Sequence, residues 1–244
     1  ESLSGTQNGA DSFTYPLSDG DGGTDTATVN LTVNGLNDDP IAQDDNVSTN
    51  ENVLLNGNVL VNNGNGADED IDGGVGGLTV AAVNGSPVDV GAVVTLASGA
   101  LLTLNANGTF SYDPNGQFED LAVGDSTSDS FTYTLSDGTG GTDTATATIT
   151  IDGANDAPVA QDDDVVTDED SPVNGNVLAD NGNGADSDVD GDTLTVTAGS
   201  FATAKGGQVT LNADGTFTYD PNAQFESWGV GQSDTDSLTY TIDD

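Results

Sequence analysis

The sequence predicts an all-β protein made of tandem β-sandwich domains, and two patterns lead to this fold class. Apolar residues alternate with Thr or Ser in short runs, as over residues 28–33, 130–135 and 146–151, which is typical of strands with one buried face. Turn signals such as Asn107-Gly108 and Asp214-Gly215 separate such runs. Many short strands with turns between them, and no amphipathic helix, indicate sandwiches.

An internal repeat defines the domain organisation. Residues 11–39 return as residues 129–157 with 20 of 29 positions identical, and the stretch that begins at Pro40 begins again at Pro158, a spacing of 118 residues. Units of roughly 100 residues have the size of single domains. We therefore divide the chain into the C-terminal strands of a preceding repeat (1–39), a complete repeat (40–157) and a third repeat that lacks its last strands (158–244).

The phase of the repeat leaves two explanations open. The third repeat lacks the strands that its predecessor builds from residues 138–151, and residues 20–33 are a near copy of them. Either the 244 residues are a window on a longer repeat chain, or residues 1–39 of one molecule complete the third repeat of another. Such strand donation would assemble molecules head to tail.

The charge of the chain points to cations as partners. The sequence has 42 Asp and Glu residues against one Lys or Arg, Lys205, and a formal net charge of -41 at pH 7. This repulsion opposes a compact state unless cations neutralise it, and a disordered acidic chain is the alternative. Because 34% of the residues are apolar and fall in strand-like runs, we expect a folded chain. Nucleic acid is excluded as a partner, and no apolar run is long enough for membrane insertion.

The sequence contains few of the side chain types that usually act in catalysis. The chain contains no His and no Cys, so most general-base and nucleophilic schemes are excluded. Paired carboxylates serve glycosidases, but among so many solvated acids no particular pair stands out. We expect that the protein is not an enzyme.

Two acidic loops share the pattern Asp-x-Asp-x-Asp-Gly, which suits calcium because this ion takes six to eight oxygen ligands in irregular geometry. An EF-hand is excluded, since Thr79 and Thr197 occupy its twelfth position and strand-like sequence follows. The alternative is a solvated acidic turn. Residues 19–25 offer one copy of a calcium β-roll pattern, but rolls need consecutive copies, so we predict a hairpin turn there. The candidate loop ligands are Asp68, Asp70, Asp72, Asp186, Asp188, Asp190 and Asp192.

Several motifs in order carry a family resemblance: Asn-Asp-Ala-Pro at 155–158, Asp-Val-Asp-Gly-Asp at 188–192, Asn-Ala-Asp-Gly-Thr-Phe at 212–217 and Leu-Thr-Tyr-Thr at 238–241. Together they resemble the bacterial cadherin-like tandem repeats of large surface adhesins, which are related to VCBS-type modules. The resemblance implies immunoglobulin/cadherin-like sandwiches in an elongated array. It also implies an extracellular stalk or filament segment, at the cell surface or in a secreted matrix, that serves adhesion or biofilm formation.

The resemblance further implies calcium at the linkers between domains, where an Asn-Asp pair and acidic residues from both neighbours supply ligands. The final Asn of the longer cadherin linker string is missing here, and Asn50 stands where the next repeat has an acid. A flexible acidic linker is the alternative. The candidate linker ligands are Asn37, Asp38, Asp44, Asp45, Glu51, Asn155, Asp156, Asp162, Asp163, Asp168 and Glu169.

The partners expected for such a segment are neighbouring repeats of the same chain, further copies in head-to-tail assembly, and a cell-surface or polysaccharide ligand. Two other functions stay open: a carbohydrate- or surface-binding module, and a halophilic charge adaptation without specific ions. Trp228 fits a sugar platform or packing at the rim of the core, and we favour packing. The aromatic positions predicted for the core, with their counterparts, are Phe110, Tyr112, Phe118, Phe131, Tyr133, Phe217, Tyr219, Phe225, Leu238 and Tyr240.

Overall fold

The computed structural model describes residues 7–73 and 75–244, and their regular secondary structure is almost entirely strand. Two short 3-10 turns, Val75–Gly77 and Pro87–Asp89, are the exceptions in this part of the chain. The strands are β1 (Asn8–Ser18), β2 (Thr24–Asn34), β3 (Asp45–Asn50), β4 (Leu55–Asn58), β5 (Thr79–Val83), β6 (Val93–Thr95), β7 (Leu101–Leu104), β8 (Thr109–Asp113), β9 (Ser126–Ser136), β10 (Thr142–Asp152), β11 (Val173–Asn176), β12 (Thr195–Val196), β13 (Gly199–Ala202), β14 (Gln208–Leu211), β15 (Thr216–Asp220) and β16 (Ile242–Asp243).

The chain divides into two compact units. The first comprises the described residues of Glu1–Phe118 and Ser126–Asp152, and the second comprises Glu119–Asp125 and Gly153–Asp244. The loop 119–125 belongs to the second unit through close packing on Gly153, whose N–H donates to the Asp125 carbonyl at 3.0 Å. A side chain at Gly153 would collide with the Leu121 carbonyl, 2.1 Å from an ideal Cβ.

The first unit contains a complete β-sandwich of two four-stranded sheets, in the orders β3-β10-β9-β5 and β4-β8-β7-β6. Neighbouring strands are antiparallel, except that β3 and β10 run parallel, from Asp45 opposite Ala147 to Asn50 opposite Asp152. Both sheets contribute fully buried side chains to one core, among them Leu102, Leu104, Tyr112, Tyr133, Leu135 and Ile149. The all-β sandwich class predicted from the sequence is confirmed.

Strand β9 shows why alternation predicts this architecture. Phe131, Tyr133 and Leu135 are at most 2% exposed, because successive side chains of a strand point to opposite faces. The Phe131 ring meets the Phe110 ring edge to face at a centroid distance of 5.9 Å. On the other face, the hydroxyls of Thr134 and Thr144 lie 3.1 Å apart across the strand pair. The three alternating segments predicted as strands lie in β2, β9 and β10.

The predicted turn glycines occupy the left-handed region that favours this residue. Gly108, between β7 and β8, has φ +81°, and Gly215, between β14 and β15, has φ +80°. Each turn is closed by a hydrogen bond from the glycine N–H to the carbonyl of Asn105 or Asn212, at 2.9 and 3.0 Å.

The β1–β2 hairpin repeats β9–β10 strand for strand. Ser18 lies opposite Thr24 as Ser136 lies opposite Thr142, and residues 19–25 contain the predicted hairpin turn. Yet the two hairpins differ in burial, since Phe13 of β1 is 54% exposed and its counterpart Phe131 is 2% exposed. No opposing sheet covers the apolar face of β1 and β2 in the described part of the chain.

The second unit forms one complete sheet and a small part of the other. The order β11-β15-β14-β13 corresponds to β4-β8-β7-β6, and the pair β12-β16 corresponds to β5 and the end of β9. Residues 163–168 align with β3 but form no strand. In the first unit β10 supplies the backbone partner of β3, and the described second unit has no strand in that position.

The burial of the predicted core side chains reflects the smaller number of strands in the second unit. Those that are buried are Phe110, Tyr112, Phe131, Tyr133, Phe217 and Phe225, and those that are partly buried are Phe118, Tyr219, Leu238 and Tyr240. Leu238 and Tyr240 pack against the core of the second unit, but the strand that flanks their counterparts in the first unit has no equivalent there. Trp228 is half-buried, with its ring centroid 4.8 Å from that of Phe225, which confirms the predicted packing at the rim.

Candidate metal centres

The alternating acids of each loop fold into a tight turn. Asp70 Oδ1 accepts hydrogen bonds from the N–H groups of Asp72 and Gly73, at 2.7 and 3.0 Å. In the second unit, Asp188 Oδ1 accepts the N–H of Asp190 at 2.9 Å. One carboxylate oxygen of the middle Asp in each loop therefore stabilises the turn by accepting backbone hydrogen bonds. Its other oxygen remains available to bind a cation.

The linker meets this turn in the same way in both units. The Asp38 N–H donates to Asp72 Oδ2 at 2.7 Å, and the Asp156 N–H donates to Asp190 Oδ2 at 2.7 Å. The linker aspartate and the third loop aspartate are thus neighbours, as expected if both bind one cation. The contact recurs in both units with the same atoms and the same distance.

Several carboxylate oxygens at these centres are buried and accept no hydrogen bond: Asp72 Oδ1, Asp156 Oδ2, Asp188 Oδ2 and Asp190 Oδ1. A buried anionic oxygen without a donor or counter-ion is costly. Lys205 cannot neutralise these groups, because it is the chain's only Lys or Arg and its Nζ pairs with Asp234 at 2.5 Å. The oxygens therefore fit a bound cation.

Calcium matches the spacing of the carboxylate oxygens in the acidic loop of the second unit. Asp188, Asp190 and Asp192 each place one carboxylate oxygen within 4.8 Å of the others. Oxygens that bind one calcium at 2.3–2.6 Å lie within about 5 Å of each other. All the ligand atoms offered are oxygens, which calcium and magnesium prefer over softer donors.

Sequence reasoning missed one aspartate that contacts each linker. Asn37 Nδ2 donates to Asp137 Oδ2 at 2.7 Å, and Asn155 Nδ2 donates to Asp244 Oδ2 at 2.7 Å. The Asn37 hydrogen bond, with those from the N–H groups of Thr139 and Gly140, lowers the pKa of Asp137 to about 2. The available signal was an acid at the same place after each β9-like segment, Asp137 and Asp244.

Two predicted ligands of each repeat lie beneath the loop instead. Asp68 is fully buried and its Oδ1 accepts the Gln43 N–H at 2.7 Å, while Asp45 Oδ1 accepts Asn63 Nδ2 at 2.8 Å. Burial raises the pKa of Asp68, and it raises that of Asp45 to about 6 although hydrogen bonds from Asn63 and Tyr133 oppose the shift.

The second unit repeats this lower cluster. Asp186 Oδ1 accepts the Gln161 N–H at 2.6 Å, and Asp163 Oδ1 accepts Asn181 Nδ2 at 2.9 Å. Each repeat therefore has a group of acids that contacts the linker and a second pair that is bonded to protein donors. Asp45 Oδ2 of the second group is nevertheless buried without a hydrogen bond, and a ligand role for this pair stays a prediction.

Two sequence profiles match the chain. Residues 37–153 and 155–244 both match the family described as bacterial cadherin-like domain. The chain belongs to this family. Residues 2–32 match the bacterial Ig domain, and no curated protein sequence matches at a significant level. The resemblance drawn from the motifs is confirmed, and cadherin-like adhesion domains are in general not enzymes.

Solved cadherin ectodomains match as well. Repeats EC22–24 of mouse cadherin-23 have 14% identity and a TM-score of 0.47, over 85% of this chain and 62% of that chain. Extracellular cadherin domains 1–5 of protocadherin gamma B2 have 15% identity and a TM-score of 0.43, over 87% and 38%. EC1–3 of mouse PcdhgC3 has 16% identity and a TM-score of 0.44, over 93% and 70%. The chain spans less than two thirds of the first two.

The remaining predicted ligands of these cadherin-like repeats make contacts other than the one between linker and acidic loop. Asp44 Oδ1 accepts the Thr146 N–H of β10 at 2.8 Å, and Glu51 is buried where β3 ends, its N–H donating to the Asp152 carbonyl at 3.0 Å. Asp168 Oδ1 accepts the Asp170 N–H at 3.1 Å. Asp162 is exposed and Glu169 half-buried. A ligand role for these residues stays a prediction.

Among residues 7–73 and 75–244 no helix is long and apolar enough to cross a membrane.

Asp45→Asn is expected to stabilise the metal-free protein at neutral pH. The folded Asp45 carboxyl has a pKa of about 6 against 3.8 for an ordinary Asp, so its protonation contributes stability that is full below 3.8 and lost as pH rises through 6. In chelator, the melting temperature should rise from about pH 7.5 to about pH 5, and less so in the variant. Asp11→Asn, which removes an exposed charge of the β1–β2 hairpin, is the control. A variant that melts below wild type at pH 7 would contradict the prediction.

Proposed function

We propose that this chain is a calcium-stabilised structural segment of a large extracellular bacterial surface protein, a stalk or filament that serves adhesion or formation of a biofilm matrix. The observation that carries the proposal is the recurrent contact of a linker aspartate with the third loop aspartate. It is accompanied by buried carboxylate oxygens without donors, which are Asp72 Oδ1 in the first unit and Asp156 Oδ2, Asp188 Oδ2 and Asp190 Oδ1 in the second. Cadherin domains generally bind calcium, and cadherin-like domains are typically extracellular, which supports both parts of the proposal.

The proposed ligands divide into two groups. Those with a direct geometric basis are the linker and loop aspartates, namely Asp38, Asp70, Asp72, Asp156, Asp188, Asp190 and Asp192. Asn37 and Asn155 support each centre through Asp137 and Asp244. Calcium would supply charge that the chain lacks, and it would join the linker to the loop that follows it in the same repeat.

We further propose the repeat boundaries given by the sequence: strands of a preceding repeat in 1–39, a complete repeat in 40–157, and a third repeat in 158–244. The matching hairpins β1–β2 and β9–β10 support this division, because they share both sequence and register. A stalk needs no ligand pocket of its own. The half-buried Trp228, packed on Phe225, gives little support to a sugar-binding platform.

The double variant Asp188→Asn and Asp190→Asn is expected to abolish calcium binding at the second centre and leave the first unchanged, because the repeats supply separate ligands. Isothermal titration with calcium chloride should show a lower stoichiometry with the same affinity at the remaining sites. Asp11→Asn with Asp25→Asn removes two exposed charges from the β1–β2 hairpin and is the matched control. Equal calcium binding by all three proteins would refute these centres.

A further inference from the structure

A buried hydroxyl lies beneath the acidic loop of the first cadherin-like repeat. Tyr133 on β9 is fully buried, and its Oη lies 2.8 Å from the Gln43 carbonyl oxygen and 3.2 Å from Asp68 Oδ2. Burial, reinforced by the charges of Asp45 and Asp68, raises the pKa of this phenol. Tyr133 is therefore a protonated donor at neutral pH, facing several acceptors.

The next cadherin-like repeat, residues 158–244, contains the same arrangement. Tyr240 Oη lies 3.0 Å from the Gln161 carbonyl oxygen, 2.8 Å from Asp163 Oδ2 and 3.3 Å from Asp186 Oδ2. Burial, reinforced by Asp163 and Asp186, raises the pKa of this phenol too. Because residues 158–244 lack several strands of the complete repeat 40–157, the recurrence shows that the contact does not depend on a complete sandwich.

These hydroxyls join three segments of chain. Asp68 begins the acidic loop, Gln43 follows the linker, and Tyr133 lies on the core strand β9. Gln43 takes part twice, since its N–H donates to Asp68 Oδ1 at 2.7 Å and its carbonyl accepts from Tyr133. A backbone bridge between Ile41 and Glu69, with N–H to oxygen distances of 2.8 and 3.1 Å, holds the same two segments. These hydrogen bonds therefore fix the distance between the segment after the linker and the acidic loop.

We propose that Tyr133 and Tyr240 are positioning residues, which hold the acidic loop against the segment that follows the linker so that the carboxylates above are in place before the cation binds. The inference rests on the proposed calcium function and extends it to residues that touch no ion. Pre-organised ligands lose less freedom on binding, and groups that orient metal ligands typically change affinity by about 10- to 100-fold when they are removed.

Tyr133→Phe tests this in the full chain, with Asp188→Asn and Asp190→Asn present so that only the first centre titrates. We expect calcium affinity, measured by calorimetry, to fall by about 10- to 100-fold. Tyr112→Phe is the matched control, because Tyr112 is equally buried and its hydroxyl donates to Asp129 Oδ2 at 3.0 Å, outside the loop cluster. This control should keep the calcium affinity of the parent even where its melting temperature falls.

Amide hydrogen exchange of residues 68–73 in chelator gives a readout that needs no calcium. We expect faster exchange in Tyr133→Phe than in Tyr112→Phe. If both variants keep the parent's affinity and exchange, or lose them equally, the positioning role is overturned. If the parent protein binds no calcium, the proposed function fails. In that case, faster exchange confined to Tyr133→Phe still supports fixation of the loop by the hydroxyl, and unchanged exchange overturns it.

Discussion

Phe131→Ala is expected to destabilise the first unit by about 3–5 kcal/mol, the usual cost of removing a buried Phe. The ring is 2% exposed, and it packs edge to face on Phe110 at 5.9 Å. The variant therefore loses apolar burial and an aromatic contact, and it leaves a cavity between the two sheets. Urea unfolding followed by tyrosine fluorescence, in saturating calcium, measures the change in free energy.

Phe13→Ala is the matched control, because both residues stand in the same sequence, Asp-Ser-Phe-Thr-Tyr, on strands with the same register. Phe13 is 54% exposed, so its removal should cost about 0.5 kcal/mol or less, as for other surface positions. Equal losses in the two variants would contradict the described difference in burial. They would indicate that another sheet covers β1 and β2 in solution.

Chelation of calcium is expected to lower the melting temperature by roughly 10–20 °C. A ligand at 100 times its dissociation constant stabilises the folded state by about 2.7 kcal/mol, and each kcal/mol shifts the melting temperature of a small domain by roughly 4–8 °C. The physical source is the buried carboxylate oxygens that have no donor in the folded state, namely that of Asp72 in the first unit and, separately, those of Asp156, Asp188 and Asp190 in the second. Differential scanning calorimetry with calcium and with chelator measures the shift.

Two controls separate a specific site from general charge screening. Magnesium should restore the melting temperature poorly, because it prefers octahedral, partly hydrated sites. Sodium chloride at high, fixed concentration screens the charge of -41 in both conditions. A calcium effect that vanishes in high salt, or that magnesium reproduces fully, would support a halophilic charge adaptation over specific centres.

Sequence reasoning reached the fold because the relevant forces are local and periodic. The alternation of Phe131, Tyr133 and Leu135 with Thr specifies a strand with one buried face, and Gly108 and Gly215 specify the turns. It also located the loops of the proposed metal centres, since alternate aspartates before a glycine supply several carboxylate oxygens within one turn, as calcium requires. The hydrogen bond from the Asp38 N–H to Asp72 then shows why linker and loop recur together.

The remaining features depend on contacts between distant segments, which spacing does not reveal. Asp68 and Asp72 belong to one motif, yet Asp68 accepts from the Gln43 N–H and lies beneath the loop, while Asp72 has a buried oxygen without a donor. Asp137 joins the centre through Asn37, 100 residues earlier in the chain. The exposure of Phe13 differs from that of Phe131 although their sequences agree, because burial depends on which sheet lies opposite.

The parallel pairing of β3 with β10 determines how the first repeat responds to tension. The chain enters the sandwich before Asp45 and leaves it after Asp152, and these residues lie at opposite ends of the strand pair. Once the Ile41–Glu69 bridge ahead of β3 has opened, a pull on the flanking segments therefore loads the backbone hydrogen bonds of this pair together, in shear, instead of opening them one at a time. A series of such repeats would transmit small loads with little extension, and it would lengthen in steps only above the force that ruptures this pair.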